Sequence, residues 1–129
     1  TSIWFSIRGF TQPGDGVLVF TPVYDPFFAV INNQGRKQVD CPLVYSEGRY
    51  TIDWEDLEKK LAGGDVKAMI FCNPHNPVGR VWTKEELTVI GDLCVQRRFI
   101  RSGIDRHALQ SCLTAGTDDA HGNFTTICN

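Results

Sequence analysis

Apolar positions along the chain fall into short runs and periodic stretches separated by polar breaks. In IWFSIRGF, residues 3–10, Ile3, Ile7 and Phe10 are spaced as one face of a helix, and TQPGDG then breaks it with Pro13 and two glycines. GVLVFT, residues 16–21, is a continuous apolar run that suits a strand buried on both faces, and Pro22 ends it. Asp25-Pro26 can open a helix, PFFAVINNQG, with Gly35 just past its end. CPLVYSEGRYTID then predicts a strand, a Glu-Gly turn and a second short strand.

The next segment has local end signals as well as periodicity. Asp53 is a suitable N-cap for DWEDLEKKLAGG: acidic residues fill the first turn, lysines the last, and Gly63-Gly64 terminates the helix. VKAMIFC, residues 66–72, reads as another buried strand. Thr83 with Glu86 makes a capping box that opens TKEELTVIGDLCVQRR, with Leu87, Ile90, Leu93 and Cys94 expected on its core face. Strands and helices thus alternate from residue 16 to about residue 100, the pattern of a three-layer α/β/α protein with a mostly parallel sheet. After a helix ending near Arg98 another buried strand is due, yet RSGIDRHALQSCLTAGTDDAHGNFTTICN has no apolar run of four and no clear periodicity. The division expected is therefore residues 1–98, a partial large domain, and residues 99–129, a divergent or frameshifted tail without clear structure. A sheet that stopped there would leave a strand edge unpaired, which suggests part of a larger architecture.

Composition narrows the partners. The 129 residues are 42% hydrophobic and 22% charged, and a net charge of -2 gives no general attraction to nucleic acid or to an anionic membrane surface. No run of eighteen apolar residues occurs, and TSIWFSIRGF lacks a basic leader, so a cytoplasmic protein is expected. Five cysteines at irregular spacing, without a CxxC pair or a Cys-His cluster, read as thiols and as no metal site. His75 lies in a polar loop, where a lone histidine is expected to be solvated, and His107 and His121 lie in the aperiodic tail.

The candidate chemistry is in two loops that follow predicted strands. Ligands of open α/β sheets bind outside the carboxyl ends of the strands. FCNPHNPVGR is such a loop: each proline keeps the preceding Asn73 or Asn76 out of the helical region, and Gly79 allows the chain to turn back. Alone it reads most simply as a connector, because Asn, Pro and Gly fill such loops for backbone reasons. TPVYDPFFAVI is a second strand-end loop, which presents Tyr24 behind a rigid Thr-Pro. Together the two could set an aromatic ring against a flat ligand and an amide at its edge.

TPVYDPFF, followed some fifty residues later by NPHNPVGRVWTKEEL, resembles the large, cofactor-binding domain of the fold-type I pyridoxal-phosphate enzymes. Within these it is most similar to the class I/II aminotransferase-like family, in its branch of C–S β-lyases of the cystathionine β-lyase type. The resemblance covers about residues 1–98. It implies that Tyr24 stacks on the pyridine ring of pyridoxal 5'-phosphate and that the Asn76 amide donates to the ring's phenolate oxygen. It also implies a small amino-acid substrate and a homodimer.

Departures from the family pattern are as informative. By family spacing, the phosphate loop would end at or before Thr1 and the Schiff-base lysine would lie beyond Asn129. Lys37, Lys59, Lys60, Lys67 and Lys84 sit in turns or on solvated helix faces, and none is assigned that role. Ile104 stands where the family has the aspartate for the pyridinium nitrogen, and Asp105 is one residue out of register. No catalytic residue is therefore assigned. The expectation is a fragment of a pyridoxal-phosphate C–S β-lyase acting on sulfur-containing amino acids, inactive alone. An aminotransferase fragment is the alternative, and a non-catalytic remnant serving as an interaction module is a second.

Overall fold

The computed structural model describes residues 2–102 and 124–127. In chain order the elements are α1 (Ser2–Phe10), β1 (Gly16–Thr21), α2 (Pro26–Asn32), β2 (Lys37–Pro42), a hairpin of β3 (Val44–Ser46) and β4 (Arg49–Thr51), α3 (Trp54–Ala62), β5 (Val66–Asn73), α4 (Lys84–Ser102) and β6 (Phe124–Ile127). The main sheet has the order β2-β1-β5-β6. Its first three strands are parallel, and β6 runs antiparallel to β5.

Side chains alternate across a strand, so β1 and β5 feed two cores at once. Val17, Val19, Ala68, Ile70 and Cys72 face Ile7 of α1 with Phe27 and Ile31 of α2. Leu18, Phe20, Met69 and Phe71 face Leu57 of α3, Ile90 of α4 and Trp82. The sheet is thus covered on both sides, giving the three-layer α/β/α sandwich with a mostly parallel sheet that the alternation predicts. The continuous apolar runs of β1 and β5 follow from this double burial. Gly16 is required where β1 begins, because a Cβ there would lie 2.9 Å from the Asp65 carbonyl oxygen.

Local signals act where expected. The Asp53 side chain accepts from the Asp56 N–H at 3.0 Å. In the capping box, Glu86 Oε2 accepts from the Thr83 N–H at 2.8 Å, and Thr83 Oγ1 accepts from the Glu86 N–H at 3.2 Å. Glu47 and Gly48, with φ of 51° and 78°, make the tight turn of the β3–β4 hairpin.

Several expectations change. Strand β2 is absent from the sequence reading, and Cys41-Pro42 belong to it rather than to the hairpin. It lies at the sheet edge, where only Cys41 among its residues is fully buried, so it carries no apolar run to announce it. Leu87 of α4 is 38% exposed, whereas Ile90 is buried and Leu93 and Cys94 pack against the core. The Asp25 side chain makes no capping hydrogen bond, and the residue is itself helical in backbone. Helix α4 continues past residue 98 to Ser102, and within the tail Phe124–Ile127 forms β6 along the free edge of β5. Ile104, Asp105, His107 and His121 lie outside the described residues. Among the described residues no helix is long and apolar enough to cross a membrane.

Candidate cofactor site at the strand ends

Because β1 and β5 are parallel neighbours, their last residues, Thr21 and Asn73, deliver the following loops to one edge of the sheet. The Thr21-Pro22, Asn73-Pro74 and Asn76-Pro77 peptide bonds are cis. The loop after β5 is closed on itself. The His75 N–H donates to the Arg80 carbonyl at 2.7 Å, and the His75 carbonyl accepts from the Gly79 N–H at 2.7 Å. Gly79 takes a φ of 69°, which glycine adopts without the steric cost other residues incur. Asn73 Oδ1 accepts from the Trp82 backbone N–H at 3.1 Å, and the Trp82 indole N–H donates to the Cys72 carbonyl at 3.0 Å. Arg80 completes the closure: its Nε–H donates to the Tyr50 carbonyl at 3.0 Å, another N–H meets Glu86 at 2.5 Å, and the guanidinium lies 4.8 Å over the Trp82 ring.

His75 departs from its expected place in solvent. It is 1% exposed, with its ring edge-to-face against Trp82 at 5.7 Å and its Nε2 2.9 Å from the Pro22 carbonyl oxygen. A carbonyl only accepts, so Nε2 carries the proton in this bond. Among the described residues the buried Nδ1 has no hydrogen-bond partner. Burial disfavours the imidazolium and pushes the His75 pKa below its ordinary value, against the opposing pull of the Pro22, Cys72 and Phe20 carbonyls. The residue is thus a neutral link between the loop after β5 and the loop after β1.

Tyr24 stands two residues beyond Pro22. The residue is 50% exposed, and its ring meets Phe27 edge-to-face at 5.8 Å, so part of Tyr24 is accessible from solvent. Asn76 follows His75, is exposed, and makes no hydrogen bond among the described residues. A half-exposed aromatic and an unengaged amide on two tethered loops are the side-chain types that suit one face and one edge of a flat heteroaromatic ring. Lys37, Lys60 and Lys67 do not complete such a site. Lys37 and Lys67 lie at the amino ends of β2 and β5, Lys67 donates to the Gly64 carbonyl at 2.9 Å, and Lys60 pairs with Asp56 along α3. The sequence reading passed over His75, Trp82 and Arg80 as site-building residues, because their partners are distant in sequence or belong to the loop backbone.

A doubly covered, mostly parallel sheet with polar and aromatic loops gathered at the carboxyl edge is the architecture in which α/β domains bind ligands at their strand ends. The chain belongs to the family described as aminotransferase class I and II, whose model matches residues 2–101. It is 45% identical over 96 residues to cystathionine beta-lyase PatB of Bacillus subtilis, an alignment that spans 74% of this chain and 25% of PatB. It is 37% identical over 103 residues to kynurenine–oxoglutarate transaminase 3 of Mus musculus, spanning 74% of this chain and 22% of the transaminase. Among solved structures, cystalysin from Treponema denticola, which contains a pyridoxal 5'-phosphate cofactor, superposes with a TM-score of 0.71 at 50% identity. That match covers 74% of this chain and 24% of cystalysin. The chain thus spans about a quarter of the length of the curated relatives it matches.

Proposed function

We propose that the chain forms part of the pyridoxal 5'-phosphate site of a C–S β-lyase of the cystathionine β-lyase type, acting on a sulfur-containing amino acid. The observation that carries this reading is the half-exposed Tyr24 and the unengaged amide of Asn76 on two loops joined by the His75–Pro22 hydrogen bond. Kinship with PatB and cystalysin supports it. When bound, the cofactor supplies an electron sink for charge developing at the α-carbon of the amino acid. Tyr24 would hold one face of the pyridine ring and fix its orientation. Asn76 would donate an amide N–H to the charged ring oxygen, a bond that favours the ionised ring. Pro77 limits the backbone freedom of Asn76.

The same proposal places the complete enzyme in the cytoplasm as a homodimer and assigns no chemical step to a lysine described here. An aminotransferase is the second reading, supported by the likeness to kynurenine–oxoglutarate transaminase 3. In a complete enzyme, thiol release without a 2-oxo acid acceptor marks the lyase, and dependence on that acceptor marks the aminotransferase. For the chain itself, titration with pyridoxal 5'-phosphate followed by nuclear magnetic resonance is the test. Saturable shifts at the Tyr24 ring and the Asn76 side-chain amide, without thiol release from cystathionine, are expected. Shifts concentrated on Lys37 and Lys67, or turnover by the chain alone, contradict the proposal.

A further inference from the structure

We propose that His75 is a positioning residue whose Nε2–H bond to the Pro22 carbonyl sets the spacing between Tyr24 and Asn76. The bond spans 53 residues of sequence. Among the described residues no other hydrogen bond joins residues 22–25 to residues 74–82. The two sides of the link are not equally anchored. On the His75 side the backbone is bonded to Arg80 and Gly79, and the ring rests on Trp82. Trp82 is in turn held by Asn73, by the Cys72 carbonyl and by the Arg80 guanidinium. On the Pro22 side, Val23 and Phe27 pack into the sheet, but Pro22, Tyr24 and Asp25 are exposed. The rigid loop after β5 therefore holds the loop after β1, through one ring nitrogen.

The chemistry of that nitrogen explains why histidine fits the position. It needs a donor at the ε position of a flat ring thin enough to lie edge-to-face on Trp82. Phenylalanine keeps the ring and loses the donor. Glutamine loses the ring and keeps an N–H donor at the ε position. A residue that served only to fill space against Trp82 would tolerate phenylalanine better than glutamine, and a residue that bridges the loops requires the opposite order. That the two tethered side chains face a common cofactor rests on the function proposed above. The tether itself does not.

The test compares the chain with its His75→Phe and His75→Gln variants by backbone nuclear magnetic resonance, without cofactor. In His75→Phe the amide order parameters of Val23, Tyr24 and Asp25 should fall from roughly 0.85 to below about 0.6, while those of residues 78–82 hold. His75→Gln should restore most of the order. Unchanged order at residues 23–25 in His75→Phe, or a Gln variant looser there than the Phe variant, overturns the proposal. Should neither variant fold, the imidazole nitrogens of the unmodified chain decide: an Nε2–H tautomer near neutral pH supports the bridge, and an Nδ1–H tautomer overturns it. A parallel titration with pyridoxal 5'-phosphate separates the two claims. Affinity about tenfold weaker in His75→Phe and recovered in His75→Gln supports both, whereas loosened loops with unchanged affinity keep the bridge and count against the proposed function.

Discussion

Two asparagines, each followed by a proline and only three positions apart, are expected to fail in opposite ways when replaced by alanine. Asn73 Oδ1 accepts the backbone N–H of Trp82, a residue with almost no exposed surface. Asn73→Ala strands that donor inside the protein, which costs about 1–3 kcal/mol. For a chain of this size each kcal/mol lowers the melting temperature by roughly 3–5 °C, so a mid-range loss of about 2 kcal/mol lowers it by roughly 6–10 °C. Asn76 is exposed and bonds to nothing among the described residues, so Asn76→Ala should alter stability by no more than about 0.5 kcal/mol. For cofactor retention the order reverses. Loss of a hydrogen bond to a charged ring oxygen is worth about 1.5–3 kcal/mol, a weakening of roughly ten- to a hundredfold or somewhat more. Urea unfolding followed by tryptophan fluorescence, with an unchanged slope in all three proteins, gives the first quantity, and titration with pyridoxal 5'-phosphate gives the second. Equal stability losses, or a larger one for Asn76→Ala, would show that the bond assignments in this loop are wrong.

His75 should make stability depend on pH. Its folded pKa lies below the ordinary value of 6.5, so the unfolded chain takes up the proton first: stability is full above about pH 6.5 and declines as pH falls toward the folded pKa. Urea midpoints at pH 7.5 and 5.5 should differ more in the unmodified chain than in His75→Gln, and equal differences would remove His75 as the source. Cys41 is fully buried, and burial followed by the nearby Asp56 carboxylate pushes its thiol up to about 12. It should therefore react with a thiol reagent at pH 8 only as fast as the protein opens, and rapid labelling of Cys41 by mass spectrometry contradicts this. Arg80→Lys keeps the charge but cannot reach Tyr50 and Glu86 together while lying flat on Trp82. A destabilisation of about 1–2 kcal/mol is expected in the same urea assay, and a neutral result would show the fork geometry to be dispensable.

Which parts of the fold were legible in the sequence follows from how local their causes are. The Asp53 cap, the Thr83–Glu86 box and the Glu47-Gly48 turn are each set within a few residues, and all appear as read. Strands β1 and β5 announced themselves because both faces are buried. Strand β2 did not, because half of an edge strand meets solvent and its pattern resembles that of a loop. His75 was misread for a related reason: its neighbours in sequence are polar, and the carbonyl that holds it belongs to Pro22, far away along the chain. Tyr24 and Asn76 as ring and edge partners came from resemblance to a family rather than from spacing alone. The structure adds the tether that brings their loops together.

In the proposed site Tyr24 and Asn76 address the same ring. Intermolecular nuclear Overhauser effects in the presence of pyridoxal 5'-phosphate test it most directly. Cross-peaks are expected from the cofactor's ring proton and methyl group to the Tyr24 ring, with the Asn76 amide protons shifted in the same complex. Cross-peaks to residues at the amino ends of β2 and β5, with Tyr24 and Asn76 both silent, would contradict it.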